Sequence, residues 1–190
     1  MFKDIIGGKF IYLKRITEDD APDVFKWRSS KSGELLHQPD GYSVEMQRSW
    51  INSRPDSEIN YIIYDTLFNV KVGMISICEV NHMDKIAECG RLILDYKYIE
   101  QGSPYGLEAL VLCYGYIFDV MGFRKTTGTI NARNDNVISL QSYLGMTQEG
   151  RLKKHTLTQG KHEDLLIFSM FSEDFPYYKS QVNKLLQKYR

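Results

Sequence analysis

The spacing of hydrophobic and polar positions changes several times along the chain, and each change marks an element. Residues 10–16 (FIYLKRI) alternate bulky and polar side chains, the period of a half-buried strand. Thr17-Glu18-Asp19-Asp20 follows and reads as a helix start, with Thr17 as N-cap and Asp20 in the first turn. That helix runs to about Ser29 and carries Val24, Phe25 and Trp27. A polar loop with Gly33, Pro39 and Gly41 leads to Ser43, which caps a short second helix through Trp50 and Ile51. Residues 61–64 and 70–80 predict two strands joined near Phe68 and Asn69, and residues 87–94 predict another.

The strongest periodicity lies in 107–121, where Leu107, Leu110, Val111, Tyr114, Ile117, Phe118 and Met121 recur at spacings of three and four. So wide an apolar face belongs to a buried helix. Gly122 stands where a C′ glycine ends such a helix. Residues 125–130 predict a strand and 136–144 a short helix ended by Gly145. Residues 150–157 and 165–171 predict a closing strand pair that turns near Gln159 and Gly160. The last helix, 176–189, gathers Tyr178, Val182, Leu185, Leu186 and Tyr189 on one side. That stripe needs a cover, either the sheet of the same chain, which is the preferred reading, or a second copy. Strands cluster before and after the central helix. The fold class expected is therefore α+β, a mostly antiparallel mixed sheet with helices on its faces.

Composition narrows the function classes. A length of 190 residues fits a single domain over 1–190, with 175–190 as an extra C-terminal helix. The 24 Lys and Arg balance 24 Asp and Glu, so no basic nucleic-acid footprint is present and no nucleic-acid partner is expected. Cys78, Cys89 and Cys113 are odd in number and far apart, without metal-ligand spacing to histidines, so neither a disulfide framework nor a metal site is expected. No run approaches the ~18 apolar residues of a membrane span. The expected localisation is cytoplasmic, with no membrane partner.

Candidate chemistry begins at Gln101-Gly-Ser-Pro-Tyr-Gly106, a small-residue loop that opens onto the apolar helix. The first amides of a helix have no internal partners, and the helix dipole adds positive charge there, so the layout suits an anion. A Walker A loop is ruled out because no Gly-Lys-Ser/Thr follows, and the absence of GxGxxG argues against a dinucleotide-binding turn.

At this loop the chain resembles the GCN5-related N-acetyltransferase (GNAT) family. The family's pyrophosphate loop reads Gln/Arg-x-x-Gly-x-Gly/Ala; Gln101 and Gly106 fit its ends, while Pro104 stands at the first glycine. Its second signature, Asn-x-x-Ala/Ser-x-x-Leu-Tyr-Glu-Lys-Leu-Gly-Phe, is similar to the run from Asn134 through Val137, Leu140, Gln141, Ser142, Tyr143, Leu144 and Gly145 to Met146. Residues 149–152 and 164–171 resemble the family's closing hairpin, and 9–20 its first strand and helix. Asn81-His82 and Ala87-Glu88 are similar to steps in the polyamine and ribosomal-protein branches. The resemblance covers roughly residues 8–172.

The resemblance implies a sheet splayed between its fourth and fifth strands, with acetyl-CoA as cosubstrate in the splay. The pantetheine would pair with Leu92, Ile93 and Leu94. The pyrophosphate would sit on Gln101, Gly102, Ser103, Tyr105 and Gly106, and Asn134 would bond the cofactor. Proline has no N–H, so position 104 lacks one donor, which the Ser103 hydroxyl can replace. The implied activity is direct acetyl transfer to a primary amine on a small molecule, an amino sugar or a protein N-terminus. A non-catalytic acyl-CoA-binding module on the same fold is the alternative.

Direct transfer needs a base, because an amine of lysine-like pKa is mostly protonated at neutral pH. Glu88, at the start of the expected fourth strand and matching the family's Ala-Glu step, is the candidate, with Glu79 and His82 as runners-up. The family's usual acid, a tyrosine, is replaced by Gln141, an amide that is no practical proton donor itself and would act as a catalytic residue through a water it holds. Tyr143 lies about 200° further round a helix of 3.6 residues per turn, so it reads as packing or a cofactor contact. Acceptor contacts are expected from Tyr42, Trp50, His82, His37 and His155, with Asp40, Glu34 and Glu45 as charges that draw a cation. His155 and His162 otherwise read as surface residues. A homodimer is the further expected partner.

Overall fold

The computed structural model describes residues 3–36, 39, 41–55, 57–158 and 160–189. One eight-stranded sheet organises them, in the order β1-β2-β3-β4-β5-β6-β8-β7. The strands are β1 (Ile5–Gly7), β2 (Ile11–Arg15), β3 (Ile59–Asp65), β4 (Lys71–Asn81), β5 (Ile86–Leu94), β6 (Lys125–Asn131), β7 (Thr147–Thr158) and β8 (Lys161–Phe171). All neighbours are antiparallel except β5 and β6, which run parallel. The expected α+β class is therefore observed. The splay falls between the fifth and sixth strands in chain order, because a short β1 precedes the strand that sequence reading counted as first.

Among the described residues six α-helices flank the sheet: α1 (Ala21–Arg28), α2 (Val44–Asn52), α3 (Tyr96–Glu100), α4 (Tyr105–Gly115), α5 (Asp135–Tyr143) and α6 (Phe175–Leu186). Thr17 and Asp20 do start the first helical segment, since the Asp20 carboxylate accepts from the Thr17 amide at 2.7 Å. Ser43 Oγ accepts from the Met46 amide and caps α2 as expected. The helix expected over 107–121 begins earlier, at Tyr105, and passes into a π-helical turn over Tyr116–Val120. Gly122 then takes φ +66°, the left-handed value that favours glycine. The predicted turn at Gln159 lies outside the described residues.

Alternation along the strands sorts the side chains onto two faces. On one, Ile11, Leu13, Ile59, Tyr61, Ile63, Ile75, Ile77, Ala87 and Cys89 pack against α4 and α6. On the other, Ile62, Met74 and Ile93 meet Val24 and Trp27 of α1, with Trp50 of α2 beside them. The apolar stripe of α6 is covered by its own chain, through Phe175, Val182 and Leu186, in accord with the preferred reading. All three cysteines are buried and free. No helix among the described residues is long and apolar enough to cross a membrane.

Candidate active site

Strands β5 and β6 form a fork. They pair only at Ile86↔Lys125, Ala87↔Thr126 and Glu88↔Thr127, and then separate. Glu88 stands at the root of that fork. Its Oε1 accepts from Thr129 Oγ1 at 3.1 Å. Burial raises its carboxyl above the usual glutamate range, the Thr129 hydrogen bonds oppose this, and the Glu79 charge adds to it. A half-buried carboxyl with a raised pKa takes up protons more readily than an exposed one. Gly90 keeps the space beside it open, because a Cβ there would stand 3.1 Å from Glu88 Oε1.

Beyond the root, one edge of β5 faces the gap. The Asp95 amide donates to Val72 O of β4 at 2.8 Å. Alternate residues of a strand turn their backbone groups to opposite edges. Ile93 therefore faces β4 with Asp95, and the N–H and C=O groups of Leu92 and Leu94 face the gap. Of the three residues expected to pair with a pantetheine, two have backbone groups free to do so.

At the wide end of the fork, the loop 101–106 is partly committed to other work. The amides of Gln101, Gly102 and Ser103 donate to Lys97 O, Ile99 O and Tyr98 O, closing α3, with Gly102 at φ +65°. This corrects the expectation that all these amides cradle a phosphate: they satisfy the carbonyls of a short helix that sequence reading missed. Pro104 is the N-cap of α4, and the first helical bond runs from Glu108 N to Pro104 O. The amides of Tyr105, Gly106 and Leu107 thus precede the helical ladder, as a helix start requires. Ser103 Oγ is buried without a hydrogen-bond partner. A buried orphan hydroxyl beside a helix N-terminus fits an anionic group, and these residues suit a pyrophosphate. The Tyr105 side chain does not join them, since its hydroxyl donates to Asp65 Oδ2 and its ring packs on Tyr98.

The remaining expected residues divide. Asn134 Oδ1 accepts from the Val137 amide at 3.2 Å and caps α5. Tyr143 projects from the end of α5, 48% exposed. Gln141 is only 4% exposed, with its Oε1 accepting from the Tyr114 hydroxyl. It is thus held in the core by its carbonyl oxygen. His82 lies in the β4–β5 turn, its ring edge-on to Phe123 at 5.4 Å. That turn follows the end of β4, where His82 was expected, and lies at the paired end of the fork, where β5 begins. Glu79 is exposed at φ +49°, near Glu88. His155 and His162 are exposed, as surface residues should be. His37 and Asp40 lie outside the described residues.

Sequence reading missed a polar network on the α1/α2 face. Arg91 of β5 grips Glu58 with both terminal nitrogens, at 2.7 and 3.1 Å. Trp50 lies under the guanidinium groups of Arg54 and Arg91, 4.8 and 5.3 Å from its ring centre. Ser76 Oγ donates to Asn60 Oδ1 at 2.6 Å. Tyr42 donates to Gln47 Oε1 and also meets Arg28. The signal was present as polar residues in otherwise apolar strands, at Asn60 and Ser76. Nearby, a cleft of about 430 Å³ opens between α1 and the β7–β8 hairpin, lined in part by Arg28, Lys31, Glu34 and Thr158. No group of three or more His, Cys, Asp or Glu side chains suited to a metal occurs among the described residues.

One family model matches the chain. Residues 11–147 fit the "Acetyltransferase (GNAT) domain". The chain belongs to the GNAT acetyltransferase family. Solved structures agree on the fold. A GCN5-related N-acetyltransferase from Brucella melitensis superposes with TM-score 0.82 at 18% identity, over 97% of this chain and 86% of that one. A GNAT-family acetyltransferase from Bacillus anthracis gives 0.74 at 20% identity, over 89% and 99%. Mutant forms of the spermidine/spermine N-acetyltransferase SpeG from Vibrio cholerae give 0.76 at 14% identity, over 90% and 98%. No curated protein sequence matches the chain. As a GNAT protein, it shows the fork between β5 and β6, with Gln141 of α5 engaged by Tyr114 of α4.

Proposed function

We propose that this GNAT protein is an acetyl-CoA-dependent N-acetyltransferase acting on a primary amine, with Glu88 as general base. The observation that carries the reading is Glu88 itself, half-buried at the point where β5 and β6 part. Acetyl-CoA, when bound, supplies an activated acetyl thioester. The chain supplies the rest. The amides of Tyr105 and Gly106 and the Ser103 hydroxyl hold phosphate oxygens, and the gap-facing groups of Leu92 and Leu94 pair with the pantetheine amides. Asn134, through its amide nitrogen, and Tyr143 are assigned the remaining cofactor contacts. Trp50 and Tyr42 bound the acceptor side.

Glu88 takes the proton of the incoming ammonium, directly or through one water. No acid is required for the sulfur, because a thiol of pKa near ~8.5 is a fair leaving group at pH 7–8. Gln141 takes no proton-transfer role in this scheme; it packs α5 against α4 through Tyr114. A second reading, a non-catalytic acyl-CoA-binding module, is favoured by that same substitution of Gln141 for the acid.

The Glu88→Gln variant separates the two. Transfer should fall by roughly 10²–10⁴-fold in kcat/KM across an amine panel, with acetyl-CoA affinity by calorimetry unchanged. The wild-type acid limb should lie above the ordinary glutamate range and vanish in the variant. Because the folded state holds this proton more tightly than the unfolded chain, Glu88 costs stability as pH rises through its raised pKa. Glu88→Gln should therefore melt higher at neutral pH, and the gain should disappear in acid. Binding of acetyl-CoA with no turnover of any amine would favour the second reading.

A further inference from the structure

The polar network beneath α2 has a backbone consequence at the fork. Ser76 pairs with Gly90 and Met74 with Ile93, two steps along β4 against three along β5. The extra residue is a β-bulge, and Arg91 occupies it at φ +53°. Residues other than glycine avoid that region, and such a conformation persists only where its surroundings hold it.

The surroundings here come from three elements. Glu58, just before β3, accepts both terminal nitrogens of Arg91, Asn60 Oδ1 lies 3.4 Å from one of them, and Trp50 of α2 underlies the guanidinium. The Arg91 guanidinium holds the Glu58 carboxyl below its usual range, so the pair is ionised at neutral pH.

The bulge reverses the phase of β5. Before it, Ala87 and Cys89 pack into the α4-side core; after it, Leu92 and Leu94 do. The backbone edge reverses with the side chains. Ala87 O, accepting from Thr126 Oγ1, faces β6, whereas beyond the bulge it is the even positions that face the gap. An unbulged β5 would turn Ile93 to the gap and Leu92 and Leu94 towards β4.

We infer that Arg91 is a positioning residue: clamped by Glu58 and Trp50, it fixes the β5 bulge that turns the backbone groups of Leu92 and Leu94 into the fork. The inference rests on the acetyl-CoA reading for its purpose, but the clamp itself is testable without turnover.

Glycine adopts positive φ freely, whereas alanine does not. Arg91→Ala removes both the clamp and the backbone's tolerance; Arg91→Gly removes the clamp alone. Amide hydrogen exchange at Ile93 should be faster than wild type in Arg91→Ala and nearer wild type in Arg91→Gly. Acetyl-CoA affinity should follow the same order, dropping about tenfold or more in Arg91→Ala, as misplacement of binding groups predicts. Equal exchange at Ile93 in Arg91→Ala and wild type would overturn the inference. So would an Arg91→Gly variant as impaired in affinity as Arg91→Ala, since the guanidinium itself would then be the contact. If the wild type bound no acetyl-CoA, the functional reading would fall, and the exchange order would still decide the clamp.

Discussion

The two faces of the sheet use polar residues in opposite ways. The α4/α6 face is almost wholly apolar, and its polar exceptions are fully engaged inside the fold. Glu108 is 4% exposed, and its carboxylate accepts from the amides of Lys9, Phe10 and Ile11 at 2.6, 2.8 and 3.1 Å. Gln141 is bound by Tyr114. On the α1/α2 face, Asn60, Ser76, Arg91 and Glu88 form a polar row that leads to the fork. Strand alternation keeps these sets on separate sides, so a rigid core and a polar site share the same few strands. The difference implies that polar substitutions on the first face cost stability and spare chemistry, and those on the second do the reverse.

The largest test on the packed face is Glu108→Ala. It leaves three amides of the β1–β2 turn without their acceptor in a buried setting. Hydrogen bonds to a charged acceptor and the cost of buried orphans put the loss at about 3 kcal/mol or more. Urea titration should show it, with the activity per folded molecule unchanged. A stable Glu108→Ala variant with lost turnover would break the contrast between the faces.

Much of this layout was legible in the chain, for reasons particular to each element. The helix after residue 104 was plain because its apolar residues recur at helical spacing, and the fork was implied by the family resemblance that its loop and the later signature carry. What was hidden has a physical cause in each case. The strand β1 has three residues, too few to show a period. The helix α3 is five residues of mixed character, and its closure consumes loop amides that the motif alone assigns to phosphate. The bulge at Arg91 leaves no compositional trace, because arginine rather than glycine sits at positive φ and is held there by a partner 33 residues away. Glu88 was findable by family resemblance, while its place at the last paired step required the register.

An intermediate effect sharpens the role of Gln141. Gln141→Tyr puts a larger ring into a site that is 4% exposed and already filled by Tyr114. Overpacking of this kind costs about 1–3 kcal/mol. The expected result is a lower melting temperature and no gain in kcat. A rise in kcat would show that position 141 reaches the reacting sulfur, and would move Gln141 from the packed face to the site.

The smallest effect concerns Asn134, which stands where the two faces' logics meet. Its Oδ1 caps α5, a structural duty, while its amide nitrogen is the group assigned to the cofactor in the proposed reading. Loss of an N-cap costs about 1 kcal/mol. Asn134→Ala should show that loss, whereas Asn134→Asp keeps a capping acceptor but exchanges the amide donor for negative charge. If Asn134 serves only α5, the aspartate variant keeps both melting temperature and acetyl-CoA affinity. If it also donates to the cofactor, the aspartate variant keeps stability and loses affinity. The second pattern is expected, because the residue's acceptor is spent within the fold and its donor remains the group available to a ligand.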